Sequence, residues 1–403
     1  MGLVKKFEAL AAKHRLLAES GALPFNVVVD RVLSATEAEI NGRRTILAGT
    51  NNYLGLTFDP DCIAAAQQAV ESQGTGTTGS RMANGTLALH VALERELAAF
   101  FGRRSAIAFS TGYMANLGII ATLAGRDEVI LLDADCHASI YDGCRLGGAE
   151  VIRFRHNDTE DLRKRLRRLG ERAAKTLIII EGLYSMLGDR APLARIVDLK
   201  REYEATLLLD EAHSLGVLGE RGLAQEAGVE DDVDFITGTF SKSLGATGGF
   251  CVSDVPELDL IRYSSRPYVF SASLCPSIIA STRAALRCVS QRPELRDRLW
   301  ENAANLYHGL QSLGFTVGPE LSPVIAVVLN DEQQALAMWS ELMRLGVYVN
   351  LVFPPATPGA STYLLRCSAS AAHTAEQIDA VCRAFSAAAD LLLDRPTEQS
   401  GAG

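Results

Sequence analysis

The sequence predicts an α/β protein, with a mostly parallel sheet covered by helices in a large domain and a smaller α+β domain at the C-terminal end. Three observations lead there. Apolar, strand-like runs start near Ala106, Val129, Val151, Thr176, Thr206, Phe235 and Gly249 and alternate with helical patterns, the signature of βα units. A helical stretch near Glu294 to Leu313 then leads into shorter runs around Val324–Val328, Val347–Leu351 and Tyr363–Arg366. Finally, 403 residues are too many for one small core. The division predicted is an N-terminal helix and strand segment over 1–55, a large domain over 56–290, a small domain over 291–394 and a disordered polar tail over 395–403.

Several elements converge on one edge of that sheet. Lys242 follows the apolar run Val233–Thr237 and sits among the hydroxyls of Thr239 and Ser241 and flanking glycines. A lysine amine held neutral by burial or a nearby cation can form a Schiff base, and the hydroxyls and glycines suit a phosphate held close to the backbone. Alone, such a Ser-Lys pair is more often a solvated turn. Asp210 ends the run Ala205–Asp210, with His213 three residues on. A carboxylate there can keep the pyridine nitrogen of pyridoxal phosphate (PLP) protonated, although a lone strand-ending Asp more often caps a helix. Neighbouring parallel strands would deliver Asp210 and Lys242 to the same carboxyl edge. Ala106–Asn116 reads as a strand, a tight Ser110-Thr111-Gly112 turn and a helix, whose N-terminus is a phosphate seat. His137 follows the run Glu128–Asp133 and could stack on a cofactor ring. Four such elements in one order outweigh the bland reading of each.

With these residues in hand, the chain resembles the α-oxoamine synthases, PLP-dependent enzymes of fold type I (aspartate-aminotransferase-like). The likeness runs from Asn51–Leu56 through Gly76–Met82, Glu181–Asp189 and Asp210–Gly216 to Leu364–Ser368. It implies that PLP is covalent on Lys242, that Asp210 serves the ring nitrogen, that His137 stacks on the ring and that His213 reaches its phenolic oxygen. It implies phosphate contacts from Gly112, Tyr113, Thr239 and Ser241, with Ser185 also in the cofactor pocket and Ser271 reaching the phosphate from the partner subunit. Arg366, Asn52 and Thr78 are the implied substrate residues, Arg366 because a guanidinium offers a bidentate fork to a carboxylate. The reaction implied is condensation of an amino acid with an acyl thioester, losing coenzyme A and carbon dioxide. Pro354–Pro358 followed by Leu364–Ser368 looks most like the members that take L-serine and palmitoyl-CoA, and the sister members use glycine or alanine. The acyl donor is coenzyme A or acyl carrier protein. Some relatives carry an arginine where this chain has Phe353, and an asparagine where it has Thr78. A homodimer with composite active sites is implied, with Thr77–Gly79 and Phe270–Ala272 reaching across the interface.

Composition fits a cytoplasmic enzyme. Hydrophobic residues make up 48% and charged residues 22% of the chain, which excludes wholesale disorder. The net charge of −9 argues against nucleic acid as a partner, and the basic run Arg163–Lys175 also carries Glu171, as a solvated helix face does. The eight cysteines include no Cys-x-x-Cys pair, favouring reduced thiols over disulfides or a metal site. No run is long enough to span a bilayer and no signal-peptide core is present. The opening Met-Gly lacks the Ser or Thr that myristoylation needs, since position 6 is Lys6. Leu3–Ala18 reads as an amphipathic helix, with apolar Leu3, Phe7, Leu10 and Leu17 and basic Lys5, Lys6, Lys13 and Arg15. It is expected to dock on the dimer, with peripheral membrane contact as the minor reading.

Overall fold

A computed structural model describes residues 2–19, 24–357 and 361–393; the tail expected to be disordered lies outside them, and so does Pro358. The chain forms two compact units, one of 51–301 with 370–372 and one of 1–50, 302–369 and 373–403. The N-terminal segment therefore groups with the C-terminal residues, and the second cut falls inside the helix Glu294–Ser312.

The larger unit is built on seven strands: β1 (Ser105–Phe109), β2 (Val129–Asp133), β3 (Glu150–Phe154), β4 (Thr176–Glu181), β5 (Thr206–Asp210), β6 (Phe235–Thr239) and β7 (Gly249–Ser253). Their order in the sheet is β1-β7-β6-β5-β4-β2-β3. Only β7 runs antiparallel to its neighbours, so the carboxyl ends of the other six share one edge. All seven coincide with the apolar runs in the sequence. They read as continuous rather than alternating because β2, β4, β6 and β7 are buried at every position, as in a sheet covered on both faces.

An edge strand exposes unpaired backbone groups, and at β1 an ion cluster takes them. Glu94 Oε1 accepts from the Ala108 N–H at 2.9 Å, and Arg262 Nη2 donates to the Ala106 carbonyl at 2.6 Å. Glu94 is also held in bidentate fashion by Arg81 and by Arg262 Nη1. Burial opposes its charge, but the two guanidiniums hold its carboxyl below the usual range.

The smaller unit contains two sheets. One joins Arg31–Val32, Glu37–Ile40, Arg43–Leu47 and Val347–Tyr348, and the other joins Val324–Leu329, Tyr363–Ser368 and Asn350–Val352. The hairpin expected at Asn41-Gly42 is present, both residues having positive φ, as its tight turn requires. The single strand expected over Val347–Leu351 is two strands, because the chain changes sheets at the buried Val349. Helices Glu332–Arg344 and Ala375–Leu393 contribute to a core that includes Leu306, Trp339, Val381 and Phe385. At the N-terminus, a 3-10 turn (Gly2–Phe7) leads into a helix (Glu8–Glu19); Leu3, Phe7 and Leu10 are exposed and Leu17 is buried. Among the described residues no helix is long and apolar enough to cross a membrane, and all eight cysteines are free of disulfides.

Removing the carboxylate of Glu94 strands the buried guanidinium of Arg81 and takes a partner from the half-buried Arg262. Glu94→Ala is expected to lower stability by about 3–5 kcal/mol, read from urea unfolding midpoints.

Candidate active site

At the carboxyl edge of the large sheet lies a cavity of about 280 Å³. Register places Glu181 of β4 beside Asp210 of β5, and Asp210 beside Thr237 of β6. The segments that follow β1, β2, β5 and β6 supply the remaining walls. Lys242, Asp210, His137, His213, Gly112, Tyr113, Thr239 and Ser241 all line the cavity. Eight of the residues singled out from the sequence thus come together.

Asp210 is buried and firmly oriented. Its Oδ1 accepts the Ala212 N–H at 2.9 Å and its Oδ2 accepts Asn116 Nδ2 at 2.7 Å. Asn116 is positioned in turn, accepting from Thr237 Oγ1 at 2.8 Å and donating to Ser139 Oγ at 3.0 Å. His213 Nδ1 lies 2.7 Å from the hydroxyl of Tyr53, which is fully buried.

His137 caps helix α2 (Ala138–Gly147), its Nδ1 accepting the Ser139 N–H, while its own N–H donates to Glu181 Oε1. Burial holds the imidazole below its ordinary pKa; the carboxylate of Asp210 opposes this and the charge of Lys242 reinforces it. A neutral ring at this wall suits stacking on an aromatic ligand. Burial, and then the neighbouring Asp210, push Glu181 well above the usual carboxylate range where it lines the cavity.

The anion seat is the start of helix α1 (Gly112–Leu123). Thr111 caps it, accepting the Met114 N–H at 3.1 Å. The N–H groups of its first turn have no intrahelical partner and carry the positive end of the dipole. Thr239 and Ser241 face this turn, their hydroxyls 2.8 Å apart. Two glycines let the pieces approach: a Cβ on Gly112 would lie 2.9 Å from Thr239 Cβ, and one on Gly249 would lie 2.5 Å from Gly112 Cα.

The other predicted residues do not line the cavity. Ser271 is 3.3 Å, hydroxyl to hydroxyl, from Ser110 of its own chain, next to the Thr111 cap. Ser185 is half-buried in the loop after β4. Buried Asn52 donates to Thr57 Oγ1 at 2.8 Å. Thr78 is exposed, with positive φ and its hydroxyl accepting from Asn84. Arg366, in the strand Tyr363–Ser368 of the smaller unit, is buried and donates to Ser368 Oγ at 3.2 Å. Phe353 belongs to that unit's core, with ring centroids 5.3 Å from Phe25 and 6.0 Å from Tyr363. Sequence reasoning missed Asn116, Ser139 and Glu181. The β4–β5 register could have found Glu181, which ends its strand as Asp210 does.

The residues fit PLP: an amine, a buried oriented carboxylate, a neutral imidazole and an anion seat face one cavity. An α/β enzyme of this layout is of aminotransferase type, and the chain belongs to the aminotransferase class I and II family, whose sequence model matches residues 44–385. It is 59% identical over 387 residues to a serine palmitoyltransferase of Caulobacter vibrioides, with 96% of each chain covered. Among solved structures, a Sphingomonas wittichii serine palmitoyltransferase matches with a TM-score of 0.95 at 51% identity, covering 98% of this chain and 100% of that one. A serine palmitoyltransferase solved with PLP as internal aldimine gives a TM-score of 0.94 at 51% identity over 97% of this chain and 99% of that one.

Because the atoms that a Gly249 side chain would strike are all backbone, Gly249→Ala must displace the anion seat. Overpacking of this kind costs about 1–3 kcal/mol. Urea unfolding should register that loss, whereas Gly76→Ala, where an added methyl meets nothing within 4 Å, should not.

Proposed function

We propose that this protein is a serine palmitoyltransferase: it condenses L-serine with a long-chain acyl-CoA, palmitoyl-CoA, to give 3-ketodihydrosphingosine, coenzyme A and carbon dioxide, the entry into sphingolipid synthesis. The observation that carries this reading is the convergence of Lys242, Asp210, His137 and His213 on one cavity, in a chain 59% identical to a serine palmitoyltransferase. PLP, when bound, supplies the electron sink for the α-carbon of the amino acid.

The chain's own groups have the following roles. Lys242 would hold the cofactor through its amine, and that amine, at the cavity beside His137 and Asp210, would be placed to take the α-proton. Asp210, fixed by Asn116 and the Ala212 N–H, would accept a hydrogen bond from the ring nitrogen and hold its proton. His137, neutral at its wall, stacks on the ring, and His213, braced by Tyr53, bonds the phenolic oxygen. The N–H groups of Gly112 and Tyr113 with the hydroxyls of Thr239 and Ser241 take the phosphate, and Ser185 completes the cofactor's surroundings. We assign the serine carboxylate to Arg366 and Asn52, with Thr78 as a further substrate residue.

The working form in this reading is a cytoplasmic homodimer with composite sites, in which Ser271 serves the partner's phosphate. Leu260, Tyr263 and Phe270 are exposed large apolar side chains on the larger unit, the composition of an uncovered obligate interface. The Gly-rich stretch and the Phe270–Ala272 segment would meet a partner as one surface, since Ser80 bridges Ala272 and the Ser273 N–H donates to the Gly79 carbonyl at 3.0 Å.

Mass spectrometry of products formed from serine, glycine or alanine with a ladder of acyl-CoA lengths tests the reaction; the 3-keto long-chain base should form from serine. Lys242→Ala should abolish turnover and the visible absorbance of the bound cofactor, and retained carbon–carbon bond formation would refute its role. Lys242→Ala subunits mixed with Ser271→Ala subunits should regain activity above either parent, because closed two-fold assortment leaves one of two sites intact, about half the full activity per heterodimer. A fully active monomer in sedimentation would rule out composite sites.

A further inference from the structure

Two residues past β3, His156 stands outside the cavity and has no part in the roles above. Its ring is held at both nitrogens, with Nδ1 2.9 Å from Asp133 Oδ1 and Nε2 2.6 Å from Asp189 Oδ2. Carboxylates only accept, so a ring bonded at both nitrogens in this way is an imidazolium. Asn157 doubles the arrangement: its N–H donates to Asp133 Oδ2 at 2.9 Å and its Nδ2 to Asp189 Oδ2 at 2.8 Å. The buried Tyr184 stands edge-on to the imidazole, with ring centroids 4.4 Å apart.

Each acid closes a turn that carries a site residue. Asp133 ends β2 and accepts the Asp135 N–H at 2.9 Å, shaping the turn that runs into His137. Asp189 closes the loop bearing Ser185, its carbonyl accepting the Tyr184 N–H at 2.9 Å. That loop begins directly after Glu181, the acceptor of the His137 N–H.

We infer that His156 is a positioning residue: as a cation between Asp133 and Asp189 it clamps the turn carrying His137 to the loop carrying Ser185, and so fixes the His137 ring at the cavity wall. The clamp as a functional device rests on the cofactor assignment made above. Burial opposes charge on His156, but the hydrogen bonds it donates to Asp133 and Asp189 outweigh it and push the group up to about 10. The other ionisable groups facing it are Asp135, 3.9 Å away and itself lifted by burial, and Tyr184, kept neutral by burial. A histidine raised in the fold stabilises fully below its unfolded value near 6.5 and loses that contribution as pH climbs through about 10.

Nitrogen-15 NMR of the histidine-labelled holoenzyme, with His156 assigned through His156→Asn, should show both ring N–H groups retained at pH 8. An imidazole titrating near 6.5 overturns the inference. At saturating cofactor, His156→Asn should lower kcat/KM for the amino acid about 10–100-fold, as misplacement of a site group does, and should change the induced circular dichroism of bound PLP. Asp189→Asn keeps an acceptor oxygen but removes one charge, so it should give a smaller loss and a lowered His156 titration; it carries the test if His156→Asn does not fold. Variants that load PLP with wild-type kcat/KM and dichroism while losing only thermal stability would show a purely structural role and sink the proposal. If the wild type loads PLP but makes no product from serine, the condensation reading fails, while the NMR and dichroism arms still decide the clamp.

Discussion

The buried carboxylate of Asp210 is the constraint around which the larger unit's site is organised. An acid at the end of a central parallel strand has left water and must be held by donors. Here they come from the Ala212 N–H and from Asn116 on α1. The same helix offers its N-terminus as the anion seat, so the buried carboxylate and the anion seat are tied to one element. Thr237, one strand over, fixes Asn116 and thereby links the Asp210 strand to the strand whose following turn bears Lys242. A cofactor spanning the cavity would meet groups whose spacing is set by sheet register and one helix, rather than by independent loops.

Electrostatics then sort the neighbours of Asp210. Two carboxylates side by side in a dry site make each other harder to ionise, and burial together with Asp210, its neighbour in register, pushes Glu181 well above the usual carboxylate range. His137 is kept neutral by burial, whereas His156, flanked by two acids, is kept charged. Three titratable side chains at one sheet edge thus adopt different states because their partners differ. Asp210 itself stays fixed at the cavity by the Ala212 N–H and Asn116.

Much of this was legible in the sequence because strand ends are legible. A continuous apolar run stopping at Asp210, at Asp133 or shortly before Lys242 announces a carboxyl edge, and parallel topology collects such edges. Side chains presented from within a helix give no such signal: Asn116 looks like any polar residue in α1 until the fold sets it against Asp210. Ser185, Ser271, Asn52, Thr78 and Arg366 rested on resemblance, and none of them lines the cavity. Register explains the late recognition of Glu181, since which strands lie side by side is not written in either strand alone.

Phe353 shows how a departure from a family pattern can be read physically. An arginine at that position would present a charge, whereas the phenylalanine is 9% exposed and packs between Phe25 and Tyr363 in the smaller unit's core. Burying an aromatic there is favourable by about 1.5–3 kcal/mol relative to exposure, so the residue has a packing role that needs no ligand. Its presence therefore takes the place of a charge without leaving a hole, and the buried guanidinium of Arg366 lies on the strand that also carries Tyr363. The cavity, built on the strand ends of the larger unit, takes no wall from residue 353.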